Sequence, residues 1–169
     1  EAWVEGERDL VEVKVAGERV RFHIGGFFQS NLYLLDRFVP DALAGLSGAR
    51  AADLYCGVGL FGRFLRRSFD EVVCVEQNAA ALALAKENVP GAANEFHAAS
   101  VEDWARGHGG RSFGRFDCVV VDPPRTGLSA PVRAWLVRAR PPVLVYVSCD
   151  PVTLARDAGA LVRSGFALE

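Results

Sequence analysis

From Gly48 onward, short apolar runs alternate with helical segments, and this alternation constrains the fold more than any other feature of the chain. Ala51 to Tyr55, Glu71 to Glu76, Asn94 to Ala98, Phe116 to Val121 and Val143 to Ser148 read as strands. Leu60 to Ser68, Ala79 to Asn88, Ser129 to Arg138 and Pro151 to Arg163 read as helices, the last opened by a proline in its first turn. Nearly continuous apolar strands separated by helices predict a parallel sheet covered on both faces. The fold class expected is therefore α/β with a Rossmann-like open sheet. Gly165 to Glu169 read as a strand that has only begun.

The first segment has a different period. Leu10 to Val15 and Arg19 to Ile24 alternate in polarity around Ala16-Gly17-Glu18, which predicts a β-hairpin ended by Gly25-Gly26. A helix is expected from Asn31 to Leu46, capped by Ser30, with Leu32, Leu35, Phe38 and Val39 on one face and a kink at Pro40. The expected organisation is a hairpin left from a preceding domain over residues 1–28 and one catalytic-type domain over 29–169. His108-Gly109-Gly110-Arg111 is the expected loop tip. The sequence begins at Glu1 and contains no methionine, so further chain is expected at both ends.

Composition narrows the class. Half of the residues are hydrophobic and 24% are charged, as in globular proteins. No apolar run is long enough to span a bilayer, and no secretory leader is visible. The cysteines Cys56, Cys74, Cys118 and Cys149 are widely spaced without a C-x-x-C pair. That spacing argues against a zinc site or a disulfide framework and for a reduced, cytoplasmic setting, with no membrane partner and no metal. A net charge of −2 weighs against unaided binding to RNA. The clusters Arg63, Arg66, Arg67 and Arg133, Arg138, Arg140 read as solvated helix faces.

In open parallel sheets, ligands bind beyond the carboxyl ends of the strands. Each unusual residue follows or ends a strand: Gly57, Glu76, Ser100, Asp122 and Cys149. In Asp53-Leu54-Tyr55-Cys56-Gly57-Val58-Gly59-Leu60-Phe61-Gly62, the glycines permit a tight turn and close approach to a ligand. Gly57, Gly59 and Gly62 also fit the dinucleotide fingerprint, with Glu76 placed to bind ribose hydroxyls. An NAD-dependent oxidoreductase is therefore one reading, and a ligand-free strand-to-helix turn is another. Asp53, four residues before Gly57, favours S-adenosyl-L-methionine instead. An acid there can position the loop and meet the cationic methionine portion. Tyr55 is placed to line the same pocket.

Asp122-Pro123-Pro124-Arg125-Thr126-Gly127 follows the fourth strand. Two prolines stiffen the backbone, which suits holding a flat base, and Arg125 suits a phosphate or a base oxygen. Tyr146-Val147-Ser148-Cys149-Asp150-Pro151 sets a cysteine at a helix start, where the helix field favours a thiolate. Alone, such a cysteine reads more often as a small core residue. In Phe27-Phe28-Gln29-Ser30-Asn31, the phenylalanines read as core or as rings that stack on a base, and Gln29 as a partner for a cofactor carboxylate.

With FFQSN, DLYCGVGLFG, VEQN, DPPRTGL and YVSCDPVTLARD in that order from Phe27 to Asp157, the chain resembles the uridine-5 RNA methyltransferase family, which acts on tRNA and large-subunit ribosomal RNA. The resemblance implies a class I S-adenosylmethionine-dependent methyltransferase sheet. It implies Cys149 as a nucleophile toward carbon 6 of uracil. Gln29, Tyr55, Glu76 and Asp122 match cofactor positions, Gly57 and Gly59 the loop under the methionine part, and Ser100 a contact to adenine. Phe27, Phe28, Pro123 and Arg125 are the expected RNA contacts.

The chain also departs from the family pattern. Leu60 stands where relatives often carry a polar cofactor contact, and Asp150 stands where Asn is commoner. The family's RNA-binding barrel and iron–sulfur cysteines are not seen. Its general base, a glutamate, is expected beyond Glu169, with the final strands of its sheet. A cofactor- or RNA-binding module without catalysis is therefore a further alternative. Cytosine-5 enzymes place their cysteine after the fourth strand, where this chain reads DPPR.

Overall fold

The computed structural model describes residues 3–4, 9–26, 28–29, 31–107 and 115–169. Phe27, Ser30 and the expected loop tip at 108–111 lie outside the described residues. The small sheet runs β1 (Trp3–Val4), β2 (Leu10–Val15) and β3 (Glu18–His23), antiparallel in that order. Ala16 and Gly17 make the hairpin turn at φ of 44° and 87°. Positive φ at both positions gives the turn a twist that matches its strands.

Next come α1 (Leu32–Ala42), β4 (Gly48–Leu54), α2 (Leu60–Leu65), β5 (Phe69–Glu76), α3 (Ala79–Asn88), β6 (Glu95–Ala98) and α4 (Val101–Gly107). The chain then forms β7 (Cys118–Val121), α5 (Ala130–Ala139), β8 (Val143–Tyr146) and α6 (Pro151–Arg163). The larger sheet has five parallel strands in the order β6-β5-β4-β7-β8. Strand order reverses between β4 and β7, which opens the ligand crevice of such sheets at their carboxyl ends.

Alternation along the strands divides the core in two. Ala51, Val72, Cys74, Cys118 and Val120 face one side, packed with α1, α2 and α3. Ala52, Val73, Val75, Val119 and Val121 face the other, with Trp104, Trp135 and Leu161 of α4, α5 and α6. Val13, Val15 and Val20 of the hairpin belong to the first of these cores. Buried Asn88 fastens the hairpin further. Its Oδ1 accepts from Arg21 N at 2.9 Å, and its Nδ2 donates to Arg21 O at 2.9 Å and to Val58 O at 2.8 Å.

Several elements differ from their sequence reading. Asn31 caps α1, accepting from Leu34 N at 3.1 Å, and the helix ends at Ala42 instead of Leu46. Pro40 lies in its last turn, where the missing N–H weakens further extension. Leu32, expected inward, is 38% exposed. Helix α4 was not expected. It is a short element begun by Ser100, whose hydroxyl accepts from Asp103 N.

The expected strand at Gly165 is instead the end of α6. Gly165 N donates to Val162 O and Phe166 N to Leu161 O, with Gly165 at φ 96°. This left-handed glycine cap satisfies the last carbonyls of the helix. The arginine clusters are likewise partly structural. Arg63 pairs with Glu18 at 2.7 Å, Arg133 with Asp157 at 3.1 Å, and Arg140 donates to Ser164 O and Gly165 O.

Candidate active site

Hydrogen bonds just past the strands bring the unusual residues to one edge of the sheet. Ala99 N donates to Glu76 O, Cys56 N to Val75 O, Asp122 N to Leu54 O and Val147 N to Val121 O. The segments that begin at Ala99, Cys56, Asp122 and Val147 therefore lie side by side in the order of the strands.

The glycine loop depends on left-handed backbone. Tyr55, Gly57 and Gly59 have φ of 63°, 53° and 83°. A Cβ on Gly59 would lie 2.7 Å from Val89 Cγ2 and 3.2 Å from Ala85 Cα, so only glycine lets the loop rest on α3. A Cβ on Gly57 would meet nothing within 4 Å, which leaves a bare backbone surface. Glu76 supports this loop from the neighbouring strand. One oxygen accepts from Gly57 N at 3.1 Å and the other from Asn78 N at 2.7 Å.

Asp53 lies beneath the loop with no solvent exposure. One oxygen accepts from Gly62 N at 2.7 Å, in the first turn of α2. Burial pushes its carboxyl up to about 7; the Gly62 bond opposes the rise, and the charges of Asp122 and Glu76 add to it. The loop-positioning half of its expected role has a geometric basis. The buried carboxylate has no surface open to a ligand.

Tyr55 is half-buried and donates to Glu102 Oε1 at 3.1 Å. Burial, followed by the Glu102 charge, pushes its hydroxyl well above the usual phenol range. Ser100 Oγ is engaged with Asp103, donating to Oδ2 at 2.8 Å. Leu60 is buried in the core.

Asp122 accepts from Gln29 Nε2 at 2.8 Å. Burial raises its carboxyl to about 6, and the Gln29 bond counters part of that rise. Pro123 is buried, whereas Pro124 and Arg125 are exposed. The loop then turns through Gly127, whose N–H donates to Pro124 O at 2.8 Å. Phe28 stacks on Phe22 with ring centroids 4.3 Å apart, so one of its faces is taken by the hairpin.

Cys149 is exposed between β8 and α6, while Cys56, Cys74 and Cys118 are buried. Burial pushes the Cys118 thiol up to about 12. The hydrogen bond with Cys74, then burial, raises the Cys56 thiol well above its ordinary range. The first amides of α6 have a partner of their own. Asp150 Oδ1 accepts from Val152 N and Thr153 N, both at 2.9 Å, so the capping carboxylate takes the helix terminus. An Asn presents the same oxygen, which explains how Asp replaces it. Asp150 is held below the usual carboxylate range by the Thr153 amide first and, among lesser causes, by the positive charge of Arg125. The DPPR loop and the cysteine turn are thus electrostatic neighbours.

Glu102 and Asn88 escaped the sequence reading, and Asp157 was only the last letter of a motif. Nothing in local periodicity marks any of them, because their partners lie far along the chain. Among the described residues, no cluster of three or more His, Cys, Asp or Glu is placed to hold a metal, and no helix is long and apolar enough to cross a membrane.

Residues 7–164 match the family described as tRNA (Uracil-5-)-methyltransferase. An RNA methyltransferase of Treponema denticola is 36% identical over 94% of this chain and 43% of its own length. A 23S rRNA (uracil(1939)-C(5))-methyltransferase of Azoarcus is 40% identical over 84% of this chain and 34% of its own. The crystal structure of the Pyrococcus abyssi tRNA (uracil-54, C5)-methyltransferase in complex with S-adenosyl-L-homocysteine superposes with a TM-score of 0.76 at 33% identity. It covers 93% of this chain, which spans 38% of that structure. The five-stranded sheet is accordingly that of the Rossmann-like S-adenosylmethionine-dependent methyltransferases. The chain spans less than half the length of each of these relatives.

Proposed function

Because the chain belongs to the tRNA (uracil-5-)-methyltransferase family, we propose that it carries the catalytic core of an enzyme that methylates carbon 5 of a uridine in tRNA or ribosomal RNA, with Cys149 as covalent nucleophile. The observation that carries the reading is the seat of Cys149. It is the exposed cysteine, in a turn beside the DPPR loop at the crevice edge of the sheet.

The residues at that edge suit S-adenosyl-L-methionine. Gly57 presents bare backbone. Each Glu76 oxygen already accepts one loop amide and keeps a lone pair for a ribose hydroxyl. Gln29 and Asp122 supply an amide and a carboxylate to the polar end of the cofactor. Tyr55 lines the pocket under the hold of Glu102, and Asp53 acts through the loop it anchors. Bound there, the cofactor supplies an electrophilic methyl group on a sulfonium.

Carbon 5 of uracil is a weak nucleophile, and the thiol answers that weakness. The Cys149 thiolate adds to carbon 6, forming an S–C6 bond. The electron pair of the C5=C6 bond moves toward oxygen 4, and carbon 5 becomes enolate-like and accepts the methyl. Loss of the carbon-5 proton to a base restores the double bond and expels the thiolate. Arg125 is suited to hold a phosphate or a base oxygen during these steps. RNA provides the partner surface for Phe27, Phe28 and Pro123 only if the base is extruded into the crevice.

The test uses the complete gene product, S-adenosylmethionine and tRNA or ribosomal RNA containing 5-fluorouridine. Fluorine cannot leave as a proton does, so a denaturation-stable protein–RNA adduct is expected, and Cys149→Ala should abolish it. Lack of an adduct with both RNAs, or its persistence in Cys149→Ala, overturns the reading.

A further inference from the structure

We infer that Asp157 is a positioning residue that clamps the loop of Asp122 to Leu128 against the turn bearing Cys149, so that Arg125 is presented beside the nucleophile. The inference deepens the functional reading above and rests on it.

Asp157 lies in α6, and its side chain is fully buried. Oδ2 accepts from Leu128 N at 2.7 Å and from the Tyr146 hydroxyl at 2.9 Å. Oδ1 accepts from Arg133 Nη1 at 3.1 Å and Arg156 Nε at 3.0 Å. The donors come from the end of the DPPRTGL loop, the last residue of β8, α5 and α6. Arg156 Nη2 also donates to Thr126 O at 2.8 Å. Gly127, at φ 75°, brings the loop so near that a Cβ there would run into the Asp157 carboxylate and the Arg156 guanidinium. Residues 126–128 are therefore all held on the helix that follows Cys149.

Stability alone is a weak reason for this arrangement. A buried ion pair often contributes no more than well-packed apolar residues of the same volume. What the carboxylate adds is direction, because its donors, drawn from four residues, fix where two loops meet. Burial by itself would raise this carboxyl, but the Leu128 amide, Tyr146 and Arg156 together hold it below its ordinary range, so the clamp stays charged at neutral pH. The clamp bonds neither Gly57 nor Glu76, and it grips the loop at 126–128, whereas Asp122 at the loop's start is held by Gln29; the cofactor half of the site should therefore respond less to its loss than the nucleophile half.

Asp157→Asn and Gly127→Ala in the complete gene product test this from the two sides of one contact. In both, KM for S-adenosylmethionine should stay within about twofold, while kcat at saturating RNA falls about 10- to 100-fold, as expected for misplaced reacting groups. The rate of adduct formation on 5-fluorouridine RNA should fall in parallel. Amide hydrogen exchange should accelerate at 126–128 and stay unchanged at 51–57. Tyr146→Phe removes a single donor and keeps the loop contacts, so it should lower kcat only about two- to fivefold. It also serves if the other variants do not fold. Wild-type kcat in a variant whose 126–128 amides are loosened overturns the inference, and so does an equal loss of cofactor binding. If the wild type itself forms no adduct, the functional reading fails and this inference with it; adduct formation that is normal in all three variants overturns this inference alone.

Discussion

The side-chain amide of Gln29 donates to a carboxylate oxygen of Asp122 at 2.8 Å, joining the segment before α1 to the end of β7 across 93 positions of sequence. The bond counters the burial that lifts the Asp122 carboxyl to about 6. Gln29→Leu should therefore raise Asp122 further and leave more of it protonated at neutral pH. Wild-type affinity for S-adenosylhomocysteine is expected to weaken as pH falls through about 6. In Gln29→Leu the midpoint should move up, with affinity at pH 7 lower by about tenfold, the scale of one charge-assisted hydrogen bond. Calorimetric titration between pH 5 and 8 reads both, and an unmoved midpoint contradicts the assignment.

Asp53 predicts an unusual pH dependence of stability. Its folded carboxyl, at about 7, binds a proton more tightly than the ordinary 3.8 of an unfolded chain. The folded state then holds more protons between these values, so the contribution is complete below 3.8 and is lost as pH rises through 7. The ligand-free protein should melt at lower temperature at pH 8 than at pH 5, with Asp53 responsible for on the order of 2–3 kcal/mol between these two pH values. Asp53→Asn should flatten the trend and leave the smaller part owed to Asp122. Thermal melting at the two pH values decides it.

Two glycines of one loop should respond differently to alanine. Gly59→Ala sets a Cβ against Val89 and Ala85 at positive φ and should cost about 2–4 kcal/mol of stability. Gly57→Ala meets open space and should cost only about 1 kcal/mol of backbone strain. It should instead weaken cofactor binding, because the new methyl stands on the bare face of the loop. Melting curves and a binding titration on each variant separate the two effects.

Native thiol chemistry should single out one cysteine. Cys149 is exposed, whereas Cys56, Cys74 and Cys118 are buried. A water-soluble alkylating reagent should modify one thiol quickly and the others only on unfolding. Peptide mass mapping should place the label on Cys149, and bound RNA should slow the reaction. Fast labelling of a second cysteine counts against the description of the site.

Much of this was legible in the sequence. Helices α3 and α6 keep the bounds read for them, Ala79–Asn88 and Pro151–Arg163, because the prolines at 90 and 151 act on their immediate neighbours. The strands follow from their apolar runs. The rule that function gathers at strand ends brings Gly57, Glu76, Ser100, Asp122 and Cys149 to one edge. Local rules also misled. Gly165 before the apolar Phe166-Ala167-Leu168 imitates a strand start but forms a helix cap, since Phe166 N reaches back to Leu161 O. At the start of α6 the carboxylate of Asp150 occupies the first free amides, a partner that the motif alone does not reveal.

By itself the sequence determined the alternation of strands and helices, the left-handed glycine loop and the cysteine turn, because backbone sterics and hydrophobic period work over a few residues. Tertiary structure decided the partners: Asp53 under the loop, Glu102 on Tyr55, Asn88 between hairpin and glycine loop, and Asp157 between two motifs. Those choices depend on strand order and on which helices cross the sheet. They bring together groups tens of residues apart in settings dry enough for single hydrogen bonds and charges to set protonation and position. No window of sequence encodes that dryness.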